Sequence, residues 1–369
     1  MWTCETIMKK HFDYTLFLTT LLLVTIGLTM VYSASSILAR ERFHDSAYFL
    51  KKELFAALIG SVALVVAMKM PMEFFRKFVY PLFGLTLILL VLVLVPGVGS
   101  KVSGAQRWIR MGPFSFQPSE FAKFGLILFM AHVLSKKQEK IRVFLVGFMP
   151  PVVLSGMVIV LVLAGKDLGN AVVMGAAVFM LLFIAGARPA YLLSEVLLAL
   201  PALYYLIAGE AYRRQRMLAF LNPWHYEKSA GFQIIQSYVA FNTGRLFGQG
   251  LGEGKQKLFY LPEAHTDFIF SVIGEELGLL GTVTVITLFA IWLFRIFVIA
   301  WKSKDLFSSY VALGIGILFG LQVIFNIGVV MGLLPTKGLA LPFLSYGGTA
   351  LIISLPCVGI LLNISSRVE

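Results

Sequence analysis

Cysteine is almost missing from this 369-residue chain: Cys4 and Cys357, at opposite ends, are its two. That excludes a disulfide framework, and the five scattered histidines show no HxH or HxxxH spacing that would suggest a structural zinc site. Charge is scarce as well, at 14% of residues against about 25% in a soluble domain. Acidic residues are the scarcer sign, 19 Asp and Glu against 31 Lys and Arg, which leaves a net charge of +12. What fills the chain is apolar: 59% hydrophobic residues and a mean hydropathy of +0.86. An ordinary cytosolic domain is thereby excluded. No internal repeat, low-complexity tract or linker divides the sequence, so one membrane domain over 1–369 is expected.

Lipid offers backbone groups no hydrogen-bond partner, so crossing it takes about 20 apolar residues coiled as a helix. Ten runs meet or approach that length: 14–36, 53–69, 76–95, 119–134, 143–164, 168–187, 190–208, 268–300, 308–334 and 341–364. The fold class is therefore all-α integral membrane, with about ten transmembrane helices. The first run exceeds the apolar core of a signal peptide and reads as an uncleaved helix. An even count puts both termini on one side. Counted whole, Lys and Arg do not choose that side, but long loops translocate largely regardless of charge. With the long loop 209–267 set aside, the remaining cations favour cytoplasmic N- and C-termini and an extracytoplasmic loop between helices 7 and 8. The cations left outside then call for an anionic ligand.

Three clusters carry chemistry. In the first, Arg107-Trp-Ile-Arg110 precedes Gln117-Pro-Ser-Glu120-Phe-Ala-Lys123. Pro118 suits a first helical turn, and Glu120 and Lys123 share a helix face. They form either a local ion pair or, with Arg107, a basic pocket for an anionic head group. The second closes the long loop: Glu263, His265 and Asp267 fall within five residues, followed by Glu275 and Glu276. Thr266 or Asp267 would make a good helix cap, and backbone donors or cations from other helices would satisfy the two later glutamates. Four carboxylates beside a basic loop nonetheless exceed what capping requires, and one held at the rim of an apolar groove is a candidate general base. The third cluster, Leu334-Pro-Thr-Lys337-Gly through Ser345-Tyr-Gly-Gly348, breaks an apolar segment with Pro and Gly, and such backbone is tolerated at membrane depth only when buried or lining a cavity.

Lys166-Asp167 reads as a local pair, and Glu195 has no partner that the sequence names. The stretch Gly244-Arg245-Leu-Phe-Gly248-Gln-Gly250-Leu-Gly252-Glu-Gly254 superficially resembles a phosphate loop but lacks its strand–turn–helix context, so loop packing is the reading. Physics alone ends at a polytopic membrane protein with a charged, partly apolar, outward-facing cleft. A transporter, a channel and an enzyme acting on a lipid-linked anion all fit.

The motifs together resemble the SEDS family, the group containing FtsW, RodA and SpoVE. The resemblance runs through Tyr32-Ser-Ala-Ser, the Arg107-Trp-Ile block, Gln117-Pro-Ser-Glu-Phe-Ala-Lys123 and Asp167-Leu-Gly169. It continues through Asn222-Pro-Trp, the block Pro262-Glu-Ala-His-Thr-Asp267-Phe-Ile-Phe and Ser345-Tyr-Gly-Gly. Leu334-Pro-Thr-Lys337-Gly and Lys257-Leu-Phe-Tyr-Leu-Pro look like the FtsW/SpoVE branch. Gly165-Lys166-Asp167 departs from the family, where Pro commonly precedes the Asp.

The resemblance implies a peptidoglycan glycosyltransferase of cell division that polymerises lipid II at the outer face of the inner membrane, at the septum. It also implies a class B penicillin-binding protein as transpeptidase partner, with other divisome proteins. No nucleic-acid partner is expected. Asp267 matches the family's essential aspartate and would take the proton of the acceptor hydroxyl. Arg107, Lys123, Arg245 and Lys257 would stabilise the leaving pyrophosphate; Glu120, Glu263, His265, Lys337 and Ser345 complete the expected substrate contacts. No dedicated metal motif is visible; Mg²⁺ or Mn²⁺ bridging pyrophosphate and Asp267 would suit hard oxygen ligands. The rivals are a lipid II flippase using the same cleft, the elongation or sporulation polymerase of the same family, and a scaffold with a vestigial cleft.

Overall fold

The computed structural model describes residues 12–102, 105–112, 114–257 and 261–368. Cys4, Lys9 and Lys10, and the Leu258-Phe-Tyr260 part of the FtsW-like stretch, lie outside the described residues. Helices dominate: α1 (Tyr14–Phe43), α2 (Tyr48–Lys69), α3 (Met72–Lys77), α4 (Val79–Leu94), α5 (Pro118–Lys137), α6 (Met149–Ala164), α7 (Leu168–Ile184), α8 (Pro189–Ala208), α9 (Ala211–Leu221), α10 (Phe232–Gly244), α11 (Ile269–Lys302), α12 (Leu306–Val330) and α13 (Gly348–Ser365). Among the described residues, six helical segments are long and apolar enough to cross a membrane, and α4 and α7 are shorter apolar helices. α2 and α5 carry charges inside their spans, Glu53 in one, Glu120 and Lys123 in the other. Each of the ten expected runs thus contains a helix.

Three features differ from the sequence reading. The loop after α4 forms a three-stranded antiparallel sheet, β1 (Gly99–Val102), β2 (Ala105–Met111) and β3 (Phe114–Phe116). It places Arg107 on the central strand, which hydropathy has no means of showing. The last run does not begin at residue 341: α13 starts at Gly348, and 331–347 is irregular, with Phe343 at φ 65°. The long run after residue 268 is broken at Gly278 (φ 67°, ψ −160°).

The buried centre is built from α5, α12 and α13, while α8 buries only Leu192 along its length. Small residues let α2 and α13 approach closely, as apolar helices in lipid require. A Cβ on Gly359 would stand 2.3 Å from the Leu64 carbonyl oxygen. One end of the bundle is clasped by charge: Asp13 caps α1 and accepts from Arg295 Nη2 at 2.6 Å, and Arg76 pairs with Asp305 at 2.6 Å. The other end carries the sheet, the loop 209–268 and the turn 331–347.

Candidate active site

Asp267 ends the long loop, one residue before the N-cap of α11. Neither it nor Thr266 caps that helix. Phe268 occupies the cap position without a side-chain bond, and Thr266 Oγ1 turns to Glu263. The Asp267 carboxylate consequently takes no hydrogen bond among the described residues, although its backbone is fixed. Asn326 of α12 donates one amide hydrogen to the Asp267 carbonyl at 3.0 Å and the other to the Leu339 carbonyl at 2.7 Å. Gly338 backs the carboxylate, where a Cβ would stand 2.9 Å from Oδ2. Any larger residue at 338 would fill the slot.

Burial pushes the Asp267 carboxyl up, Glu263 adds to the rise, Arg216 and Arg107 oppose it, and Asp167 raises it further; the balance lies at about 7. Loss of hydration penalises the charged form, and the two arginines restore only part of it. The result is a carboxylate with no hydrogen bond among the described residues, with Arg216 and Arg107 as the cations that act on it. Arg107 is held by its Nη2 on the Lys166 carbonyl at 3.1 Å and by Asp167 at 3.8 Å, while its buried Nε has no partner. Arg216 of α9 donates to the Thr336 carbonyl at 3.0 Å, which ties the loop to the 331–347 turn.

The remaining expected residues divide. Glu263 is exposed, at φ 58°, and belongs to the electrostatic set around Asp267. His265 is buried between Phe49 and Tyr346, with its carbonyl accepting the Tyr346 N–H at 2.9 Å. Burial keeps its imidazole below the usual range, Glu263 partly opposing and Arg42 assisting, so it is neutral at pH 7. Lys337 lies over the Phe325 ring at 5.7 Å, its ammonium lowered by burial.

The five other expected residues meet a different geometry. Lys123, itself buried, pairs with the part-buried Glu120 at 2.8 Å, the local pairing weighed above. Lys257 is buried, with its ammonium on Glu276, Ser33 and the Gly252 carbonyl, which leaves no donor for a phosphate. Ser345 Oγ accepts the Leu341 N–H at 2.8 Å. Arg245 lines a separate apolar groove of about 360 Å³ with Tyr238, Phe241 and Phe270.

Lys166 and Asp167 are not partners. Lys166 reaches Glu210 at 3.1 Å, whereas Asp167 caps α7 and collects Gln117, Ser119 and Asn170. Glu275 and Glu276 are satisfied by loop backbone and Lys257, as buried carboxylates must be. Glu195 has one buried oxygen without a partner. Sequence reasoning missed Arg216, Asn326 and Glu53. Arg216 stood in the basic opening of the long loop. An Asn or Glu inside an apolar run is itself a signal: Glu53 is buried in α2 and accepts the Gly347 N–H at 3.3 Å.

These features define a polytopic α-helical membrane protein with a carboxylate that takes no hydrogen bond among the described residues and two arginines that act on it electrostatically. The family model described as "Cell cycle protein", covering FtsW, RodA and SpoVE, matches residues 13–369, and the chain belongs to that family. It is 51% identical over 359 residues to the probable peptidoglycan glycosyltransferase FtsW of Trichlorobacter lovleyi, covering 97% of this chain and 94% of that one. With the protein of the same description from Geobacter metallireducens it shares 49% over 360 residues, covering 98% and 96%. Among solved structures, a chain from a study of how a peptidoglycan synthase complex coordinates polymerization and crosslinking superposes with a TM-score of 0.77, at 29% identity and 99% coverage of both chains.

Proposed function

We propose that this protein is a peptidoglycan glycosyltransferase that polymerises lipid II, with Asp267 as general base. The observation that carries the reading is the Asp267 carboxylate, which takes no hydrogen bond among the described residues and has only Gly338 behind it, with Arg216 and Arg107 acting on it electrostatically. A general base works best with a pKa near the working pH. Asp267 takes the proton from the 4-hydroxyl of the acceptor sugar as that oxygen attacks the anomeric carbon of the donor. The C–O bond to the lipid pyrophosphate breaks on the opposite face, so an α-linked donor gives a β-1,4 glycan. Charge accumulates on the departing pyrophosphate, and fixed guanidinium groups stabilise it without reorganising. Arg107 and Arg216 are the two this site offers.

The loop-rich end faces outward in this reading, with both termini cytoplasmic, in the inner membrane at the division septum. A class B penicillin-binding protein crosslinks the product, alongside other divisome proteins. Were a divalent cation to bind here, the Asp267 carboxylate would be the oxygen ligand this chain offers, and the ion would help neutralise charge on the departing pyrophosphate. Among the described residues no three His, Cys, Asp or Glu side chains form a metal-binding group.

The test is glycan synthesis from labelled lipid II by the purified protein, alone and with its transpeptidase. Asp267→Asn keeps the size and removes the base, so turnover falls by about 10²–10⁴-fold while lipid II binding persists. Lipid II crossing liposomes with no polymer from the wild type would favour a flippase instead.

A further inference from the structure

Lys257 and Glu276 are the most completely engaged charges near the site. Around the break in α11, the Gly-rich loop pairs with the helix backbone: Gln249 and Gly250 donate to the Glu275 and Glu276 carbonyls at 3.0 Å each, and Leu279 donates to the Arg245 carbonyl at 2.9 Å. The approach is tight enough that a Cβ on Gly248 would stand 2.1 Å from the Glu276 carbonyl oxygen. Side chains then seal the contact. Glu276 accepts from Gly252 N–H at 3.1 Å, Ser33 Oγ at 2.6 Å and Lys257 Nζ at 2.7 Å. The remaining Lys257 donors go to Ser33 Oγ at 3.2 Å and the Gly252 carbonyl at 2.6 Å.

We propose that Lys257, Glu276 and Ser33 form a clasp that positions Asp267 for proton removal; the proposal rests on the reading of Asp267 as the base. Lys257 and Glu276 are 19 residues apart, and their contact closes a circuit of chain that contains Glu263, His265 and Asp267. Closing a segment removes conformations that it would otherwise sample. α1 then sets this circuit against the opposite wall. Its Ser33 joins the clasp, while its Gly27 packs so closely that a Cβ would stand 2.1 Å from the Phe343 carbonyl oxygen, in the same turn that carries Gly338. One helix thereby fixes the spacing between Asp267 and the glycine behind it. A buried ion pair is a weak source of stability compared with apolar packing, and its best-attested use is fixing one geometry. Proton transfer rewards that use, because misplacement by about 1 Å costs about 10²-fold in rate.

The test uses the full chain in nanodiscs, with lipid II turnover and amide hydrogen exchange measured on the same samples. Lys257→Met lowers kcat about 10–100-fold while KM stays within about twofold. Exchange across 261–268 speeds up by at least about tenfold, and exchange in α12 does not. The swap Lys257→Glu with Glu276→Lys recovers part of both. Ser33→Ala removes one strut without stranding a charge, gives a smaller change of the same kind, and carries the test if Lys257→Met does not fold. A higher KM at unchanged kcat would overturn the proposal, since Lys257 would then serve the substrate. Faster exchange with undiminished kcat would overturn it too. If even the wild type makes no polymer, the reading of Asp267 fails by itself; unchanged exchange in both variants then removes the clasp separately.

Discussion

Asp267 is governed by opposing neighbours, and each has a signed effect on the pH dependence of turnover. A base acts only when unprotonated, so kcat/KM falls as pH drops through about 7, the position set by burial and Glu263 against Arg216 and Arg107. Arg216→Gln removes a group that lowers the pKa, and the acid limb moves to higher pH. Glu263→Gln removes one that raises it, and the limb moves to lower pH. Profiles of lipid II polymerisation between about pH 5.5 and 9 decide the matter, and opposite movements are required of the two variants. Lys123 belongs to another category. Its side chain is 3% exposed and that of its partner Glu120 12%, so Lys123→Met strands a largely buried carboxylate. That variant loses about 3–5 kcal/mol of stability, read by thermal unfolding, and adding Glu120→Gln restores most of it. A lysine serving the substrate would instead show intact stability and weaker lipid II binding.

At the scale of elements, the break in α11 separates what hydropathy reveals from what it hides. Gly278 has φ 67° and lies against the Gly248 nitrogen, where a Cβ would stand 2.3 Å away. Gly278→Ala therefore costs about 1–3 kcal/mol in thermal unfolding, through left-handed backbone and a clash with another backbone. Gly84→Ala in α4, with open space around it, is neutral or slightly stabilising. The ten apolar runs were legible because lipid imposes one rule on length and polarity. The sheet holding Arg107, the start of α13 at Gly348 and the break itself were not: the sheet is a local pairing of short strands that hydropathy does not register, and the other two have backbone bonds to segments distant in sequence. The site divides in the same way. Asp267 was legible through its motif, and His265 and Glu263 through proximity in sequence. The bonds Lys257 makes were not legible, because its partners Ser33 and Glu276 lie 224 and 19 residues away. Arg216 was overlooked for the same reason, because its link to Thr336 spans 120 residues.

For the whole molecule, the decisive property is which end faces out. The end opposite Asp267 carries Lys69, Lys77, Lys136, Lys140, Lys302 and Lys304 on short connections between helices. Lys and Arg in short loops are retained on the cytoplasmic side, whereas charges in a long loop count for little. In the proposed orientation the cations of the 209–268 loop lie outside, and Arg216 among them acts on the Asp267 carboxyl rather than serving as a topological signal. This orientation also suits the chemistry, because the glycan must be released where the wall is built. A Cys-free background (Cys4→Ser, Cys357→Ser) with single cysteines tests it. Lys228→Cys is labelled by a membrane-impermeant maleimide in intact spheroplasts, whereas Lys304→Cys is labelled only after permeabilisation. The reverse pattern would place Asp267 on the cytoplasmic face and separate the base from an outward-facing polymerase, whatever the purified protein does in detergent.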